Sequence, residues 1–229
     1  MSLREVIDLC NSIGIGASSA SSNMVEAQAD RVRRHAEEKG LKREPWRMPT
    51  PFVLGPRDRP VPPTEVNGYK IGPRADLENA ELENAELQYT DLTSATLSRA
   101  NLRNANLRHA VLLGVKLSGA SLIGTNLYGA YLVRADLRDA ILRKANLMLA
   151  DLCNANLRNA NLSGANLREA NLSGANLREA NLSGANLSGA NLREANLREA
   201  NLKGTKLKGT KLKGAKLTGA RMPDGSIHD

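Results

Sequence analysis

From Leu77 to Leu217 a leucine falls on every fifth residue, 29 positions without a slip, and Met222 continues the series. Two residues before each stands a small side chain. Alanine fills 25 of these 30 positions from Ala75 to Ala220, and Thr90, Val115, Thr125, Thr205 and Thr210 fill the rest. A helix cannot use such a pattern, because five residues advance about 500° around the axis and successive leucines share no face. A straight strand fails as well, since an odd step sends alternate leucines to opposite sides. The period works if the chain turns a corner in every repeat. Residues two apart on a short extended segment face the same way, so Ala100 and Leu102 point inward with Asn101 outward between them. Arg103 and Asn104 make the corner, and glycine at the second corner position (Gly164, Gly174, Gly184, Gly204) suits such a turn.

Other patterns precede the repeat. Ser2, Leu3, Arg4 and Glu5 have the form of a capping box, and Leu3, Val6, Ile7, Cys10 and Ile13 follow at helical spacing up to Gly14. A serine-rich stretch from Ala17 to Ser22 leads to a second predicted helix over residues 23–39, with a thin apolar stripe of Val25, Ala29, Val32 and Ala36. Seven prolines between Pro45 and Pro63 make the next stretch extended. Asn67 and Gly68 signal a tight turn leading into the first repeat. The expected organisation is a helical segment over 1–40, a Pro-rich arm and cap over 41–74, the repeat over 75–222 and a short tail over 223–229. Trp46, Phe52, Val53 and Leu54 are the expected lid on the first repeats. The thin stripe and flexible linker favour residues 1–40 as a docking tail.

The beat A(D/N)LXX over residues 75–222 resembles the pentapeptide-repeat family. The resemblance implies a right-handed quadrilateral parallel β-helix, an all-β solenoid with four pentapeptides per coil. About 7.5 coils stacked at ~4.8 Å would make a rod of roughly 36 Å. The family includes gyrase-protecting proteins thought to imitate DNA through an acidic surface, which implies a second, topoisomerase-directed reading of this chain.

Composition narrows these readings. Aromatic residues make up only 3%, so leucine and alanine must build the core. Cys10 and Cys153 stand far apart with no CxxC partner, which argues against a disulfide framework and a zinc site. His35, His109 and His228 are scattered, and no catalytic triad, carboxylate pair or phosphate loop stands out, so neither an enzyme nor a cofactor or small-molecule substrate is expected. No run reaches the ~20 apolar residues that span a bilayer. Glu5 and Asp8 interrupt any secretory leader, and the expected compartment is the cytoplasm or a particle assembled inside the cell.

With four repeats per coil, residues twenty apart lie above one another and the outer surface can be read. Val111 and Leu113 fall under Tyr131 and Val133 on one face; Tyr128 falls under Met148, beside Leu149, on the next; Ile123 and Ile141 fall on a third. This clustering predicts a protein interface or self-association. The charge is polar along the rod. Asp76, Glu78, Glu81, Glu83, Glu86 and Asp91 crowd the first coil with no base among them. Lys203, Lys206, Lys208, Lys211, Lys213, Lys216 and Arg221 crowd the last, with no acid between Glu199 and Asp224. That basic collar reads as an anion-binding tip for nucleic acid, with weak and salt-sensitive contact, or for another acidic surface; as a head-to-tail attraction between rods, which the arm before Ala75 obstructs; or as lysines that discourage edge-to-edge aggregation. Residues 74–229 carry 21 basic and 15 acidic side chains, which weakens DNA mimicry. A ladder of Arg138, Arg158, Arg178 and Arg198 runs beside Asp139, Asn159, Glu179 and Glu199 and reads as a neutralised, solvated face. The expected function is a non-enzymatic structural or interaction protein, a rigid scaffold docking through its N-terminal arm and the apolar patch.

Overall fold

The protein's computed structural model describes residues 63–229. The predicted helices, most of the Pro-rich arm and the lid residues Trp46, Phe52, Val53 and Leu54 lie outside the described residues. Within them no helix forms. The chain opens with a hairpin of β1 (Glu65–Val66) and β2 (Tyr69–Lys70), paired antiparallel. Asn67 and Gly68 join the two strands with φ of 51° and 80°, the left-handed pair that a tight hairpin turn requires.

From Asp76 to Arg221 the chain then winds as a four-sided parallel β-helix. Each outward residue bridges in parallel to the residue twenty positions on, as in Asn101 with Ser121 and Ser121 with Ile141. One repeat shows the rule. Asn101 N–H donates to Ala80 O one coil back at 2.9 Å, and Leu102 N–H donates to Ser121 O one coil forward at 2.8 Å. Ala105 N–H closes the corner on Leu102 O at 3.1 Å, and Asn104 N–H reaches Ile123 O at 2.9 Å. The strand pieces are a single residue pair long, so the fold is held by the corners and by the coil above and below.

The corners explain much of the repeat's composition. All 30 second-corner residues from Arg74 to Gly219 have φ between 54° and 74°. With a preceding i to i+3 hydrogen bond, this is the signature of a type II turn. Glycine holds twelve of these positions and adopts the conformation freely, whereas residues such as Tyr89, Leu149 and Glu199 adopt it at a cost of roughly 1–2 kcal/mol.

Inside, the leucines and alanines from Leu77 to Leu202 form one continuous column, nearly all at 0–1% exposure. The threonines that replace alanine keep their hydroxyls satisfied. Thr90 Oγ1 donates to Leu87 O at 2.7 Å and Thr125 Oγ1 to Leu102 O at 2.7 Å. The two ends differ. At the N-terminal end Val66, Tyr69 and Ile71 pack against the core, Asn67 Nδ2 donates to Glu81 O at 3.0 Å and the Tyr69 hydroxyl accepts Glu81 N–H at 3.3 Å. At the C-terminal end Leu207, Leu212 and Leu217 stay only partly buried.

Candidate protein-binding surfaces

Every outward side chain sits in a column with a spacing of twenty residues, so a surface is built column by column. The default filling is asparagine. Its Oδ1 accepts the N–H two residues on, as Arg158 N–H to Asn156 Oδ1 at 3.3 Å, which fixes the entry to the corner. Its Nδ2 donates to the asparagine one coil back, as Asn146 to Asn126 and Asn166 to Asn146, both at 3.2 Å. The asparagines are therefore part of the fold.

Departures from that filling carry the candidate sites. On one face the column Thr93, Leu113, Val133, Cys153, Ser173 is apolar through its middle. Leu113 and Val133 are partly buried and Cys153 is 4% exposed. Burial raises the Cys153 thiol above its ordinary range, so it is a protonated, packed group. Round the next corner Tyr89 stacks on His109 with ring centroids 5.5 Å apart, and His109 meets Tyr128 edge-on at 5.4 Å. The Arg108 guanidinium covers the Tyr128 ring at 5.1 Å. Met148 occupies the next place in Tyr128's column, with Leu149 beside it at a left-handed corner.

The predicted patch is thus partly reassembled. Tyr128, Met148, Leu149, Leu113, Val133 and Tyr131 form a band around one corner, extended by Tyr89 and His109, while Cys153 in the column of Leu113 and Val133 is buried and adds no surface. Tyr89 and His109 share one column of the twenty-residue register, but a tyrosine and a histidine are not grouped by a hydropathy pattern. Val111 contributes little surface, being 6% exposed between Asp91 and Tyr131 of its own column. Ile123 and Ile141 stand apart from the band, with the Asn106, Asn126 and Asn146 ladder between them and Tyr128. Ile141 is the one large hydrophobic side chain of the group that is frankly exposed, at 37%.

Asp151 lies beside this band. Its Oδ1 accepts Cys153 N–H at 3.0 Å and Asn171 Nδ2 at 2.9 Å. Burial nevertheless outweighs both bonds and raises its carboxyl above the usual range.

The charged features fall as follows. The first coil's acids are mostly exposed, and the next coil answers some of them: Arg99 to Glu78 at 3.9 Å, Arg103 to Glu83 at 3.8 Å, Asn106 Nδ2 to Glu86 at 2.8 Å. In the arginine ladder, Arg158 and Arg178 pair with Glu179 at 3.4 and 3.0 Å, and Arg178 with Glu199 at 3.1 Å. Arg138 does not use its neighbour Asp139. It makes a two-pronged pair with Asp136 at 2.8 and 2.7 Å, which holds that carboxyl below its usual range, while Asp139 accepts Asn159 Nδ2. These pairs are solvent-exposed and individually weak. In the last coil Lys206, Lys211, Lys216 and Arg221 stand directly over Asn186, Asn191, Asn196 and Asn201, one on each of the four sides. Lys203, Lys208 and Lys213 occupy corners of the same end. Among the described residues no three His, Cys, Asp or Glu side chains gather as a metal site, and no helix is long and apolar enough to cross a membrane.

A coil of four A(D/N)LXX turns stacked on a leucine column defines a pentapeptide-repeat solenoid. The sequence profile of that family, described as pentapeptide repeats, matches the chain in 8 copies over residues 73–99, 130–168, 145–184 and 185–222. The chain belongs to the pentapeptide-repeat family. Among solved structures it is similar to HetL, a pentapeptide repeat protein involved in heterocyst differentiation regulation in the cyanobacterium Nostoc sp. strain PCC 7120. The two are 43% identical over 68% of this chain and 78% of that one, with a TM-score of 0.40. It is also similar to a pentapeptide repeat protein of the Arabidopsis thaliana thylakoid lumen, at 38% identity over 48% of this chain and 69% of the other, TM-score 0.30. QnrB1, a plasmid-mediated fluoroquinolone resistance protein, is 26% identical over 55% of this chain and 69% of its own, TM-score 0.35. No curated protein matches the chain.

Proposed function

We propose that this protein is a non-enzymatic interaction scaffold. In this reading a right-handed four-sided rod, the hand that parallel crossovers almost always take, presents the band of Tyr128, Met148, Leu149, Leu113 and Val133 to a protein partner, with residues 1–40 as an additional docking tail. The carrying observation is the break in the outer columns. Positions that hold asparagine, serine, arginine and glutamate in later coils hold aromatic and aliphatic side chains here. Interior packing does not demand them, because the leucine column runs unchanged beneath. Leu149 supports the reading, since an aliphatic side chain is kept at a left-handed corner where the same column uses Gly129 and Gly189.

The test is co-purification from the native source with the wild-type chain, the variant Tyr128→Asn/Met148→Ser/Val133→Ser, and a chain lacking residues 1–40. The expected result is loss of a defined partner from the triple variant, with an unchanged melting curve. Retention of every partner by that variant would refute the role of the band.

A second reading, modulation of a topoisomerase, draws on the exposed acids of the first coil. It is tested by a gyrase supercoiling assay in which Glu78→Gln, Glu81→Gln and Glu83→Gln are combined. An effect of the wild-type chain that the acid variant loses would support it.

A further inference from the structure

Among the described residues the C-terminal end of the solenoid is an open edge. In the coil below, Leu187, Gly189, Leu192, Glu194 and Leu197 each donate their N–H to a carbonyl of the last coil, at 2.8–3.0 Å. Their counterparts one coil on, Leu207, Gly209, Leu212, Gly214 and Leu217, have no acceptor among the described residues. The carbonyls of Thr205, Thr210 and Ala215 likewise lack the donor that Ala185, Ala190 and Ala195 find in Lys206, Lys211 and Lys216. The same end leaves Leu207, Leu212 and Leu217 partly uncovered, whereas the opposite end holds Leu77, Leu82, Leu87 and Leu92 at or below 1% exposure. On one side the chain's own tail already joins this edge. Ile227 pairs antiparallel with Arg221, Gly219 N–H donates to His228 O at 2.7 Å, and His228 N–H donates to Ala220 O at 2.9 Å.

We infer that the remaining three sides of this end dock an acidic, strand-forming polypeptide, which adds to the solenoid as a further coil. Two features select that chemistry. The edge offers alternating donors and acceptors around partly uncovered leucines. A phosphate backbone can answer the donors but has nothing to give the carbonyls of Thr205, Thr210 and Ala215 and no apolar cover for the leucines. A polypeptide strand supplies all three. The charge is set by the columns. An added coil places its outward side chains over Lys206, Lys211 and Lys216, where a base would meet like charge and a carboxylate an ion pair. The rod itself uses that arrangement in the column of Lys216, where Asp136 lies directly over Lys116. This site is separate from the apolar band and stands independently of it.

The probe is a synthetic peptide of residues 75–94, ADLENAELENAELQYTDLTS, which carries one coil's leucines and six acids. Added to the full-length chain, it is expected to slow amide exchange at Leu207, Gly209, Leu212, Gly214 and Leu217 by about tenfold or more. Binding should weaken with added salt. The variant Lys206→Gln/Lys211→Gln/Lys216→Gln, whose substitutions are all on the exposed collar, should keep the wild-type melting curve and bind about tenfold more weakly. A peptide with its four leucines changed to serine should give no protection. Three outcomes would overturn the proposal: no protection by the peptide, which leaves the lysines as guards against edge pairing; equal binding of the leucine-free peptide, heparin or duplex DNA without amide protection, which makes the end a general polyanion site; or sedimentation showing that the chain alone already covers this end by self-association.

Discussion

Asp151 is the residue whose environment agrees least with its charge. The column that holds it continues upward as Asn171 and Asn191, and an asparagine would make the same two hydrogen bonds with no charge to bury. Because burial raises its carboxyl, the folded chain holds that proton more tightly than the unfolded one. This contribution to stability is therefore greatest at low pH and is lost as pH rises from the ordinary value near 3.8 through the raised one. Asp151→Asn should raise the melting temperature at pH 7 by about 2–4 °C, the shift ~1 kcal/mol gives a domain of this size. The gain should shrink toward pH 4, and a thermal melt series across pH reads both. A gain independent of pH would mean that packing, not ionisation, is responsible. Corner glycines give a second residue-level expectation. A Cβ on Gly184 meets nothing within 4 Å, while one on Gly129 would lie 2.6 Å from the His109 ring. Gly184→Ala should cost roughly 1 kcal/mol for its left-handed backbone alone. Gly129→Ala should cost measurably more, and a His109→Ala background should abolish the excess in chemical denaturation.

At the level of the repeat, the leucine beat was legible because packing fixes it: one slip would turn a leucine outward. The corner was legible only in part. Gly164 or Gly204 announces a left-handed residue, but Tyr89, Glu199 and Leu149 adopt the same conformation without any local sign, because the coil above and below imposes it. The outer band was legible as columns of apolar residues, Tyr128 and Tyr131 among them, but the stack of Tyr89 on His109 was not, because it mixes residue types that hydropathy patterns do not group. Val111 looked exposed from its outward position, yet its neighbours in the column cover it. Packing depth along the rod gives the third prediction. Leu142 is 0% exposed between complete coils, so Leu142→Ala should cost ~2–5 kcal/mol. Among the described residues no coil lies above Leu212, and Leu212→Ala should cost less than half as much in the same denaturant titration. Equal costs would show that something already covers the C-terminal end.

For the solenoid as a whole, the coil-to-coil spacing of twenty residues is also a compass. A leucine keeps its place inside after any insertion of five residues, so the core tolerates lengthening by a single pentapeptide. The outer columns do not. One added pentapeptide between the apolar band and the basic end would rotate everything beyond it by about a quarter turn, given four corners per coil. A change of twenty would restore the bearing and alter only the distance. Lengthened chains of this protein can therefore separate reach from orientation, two quantities that most linkers change together.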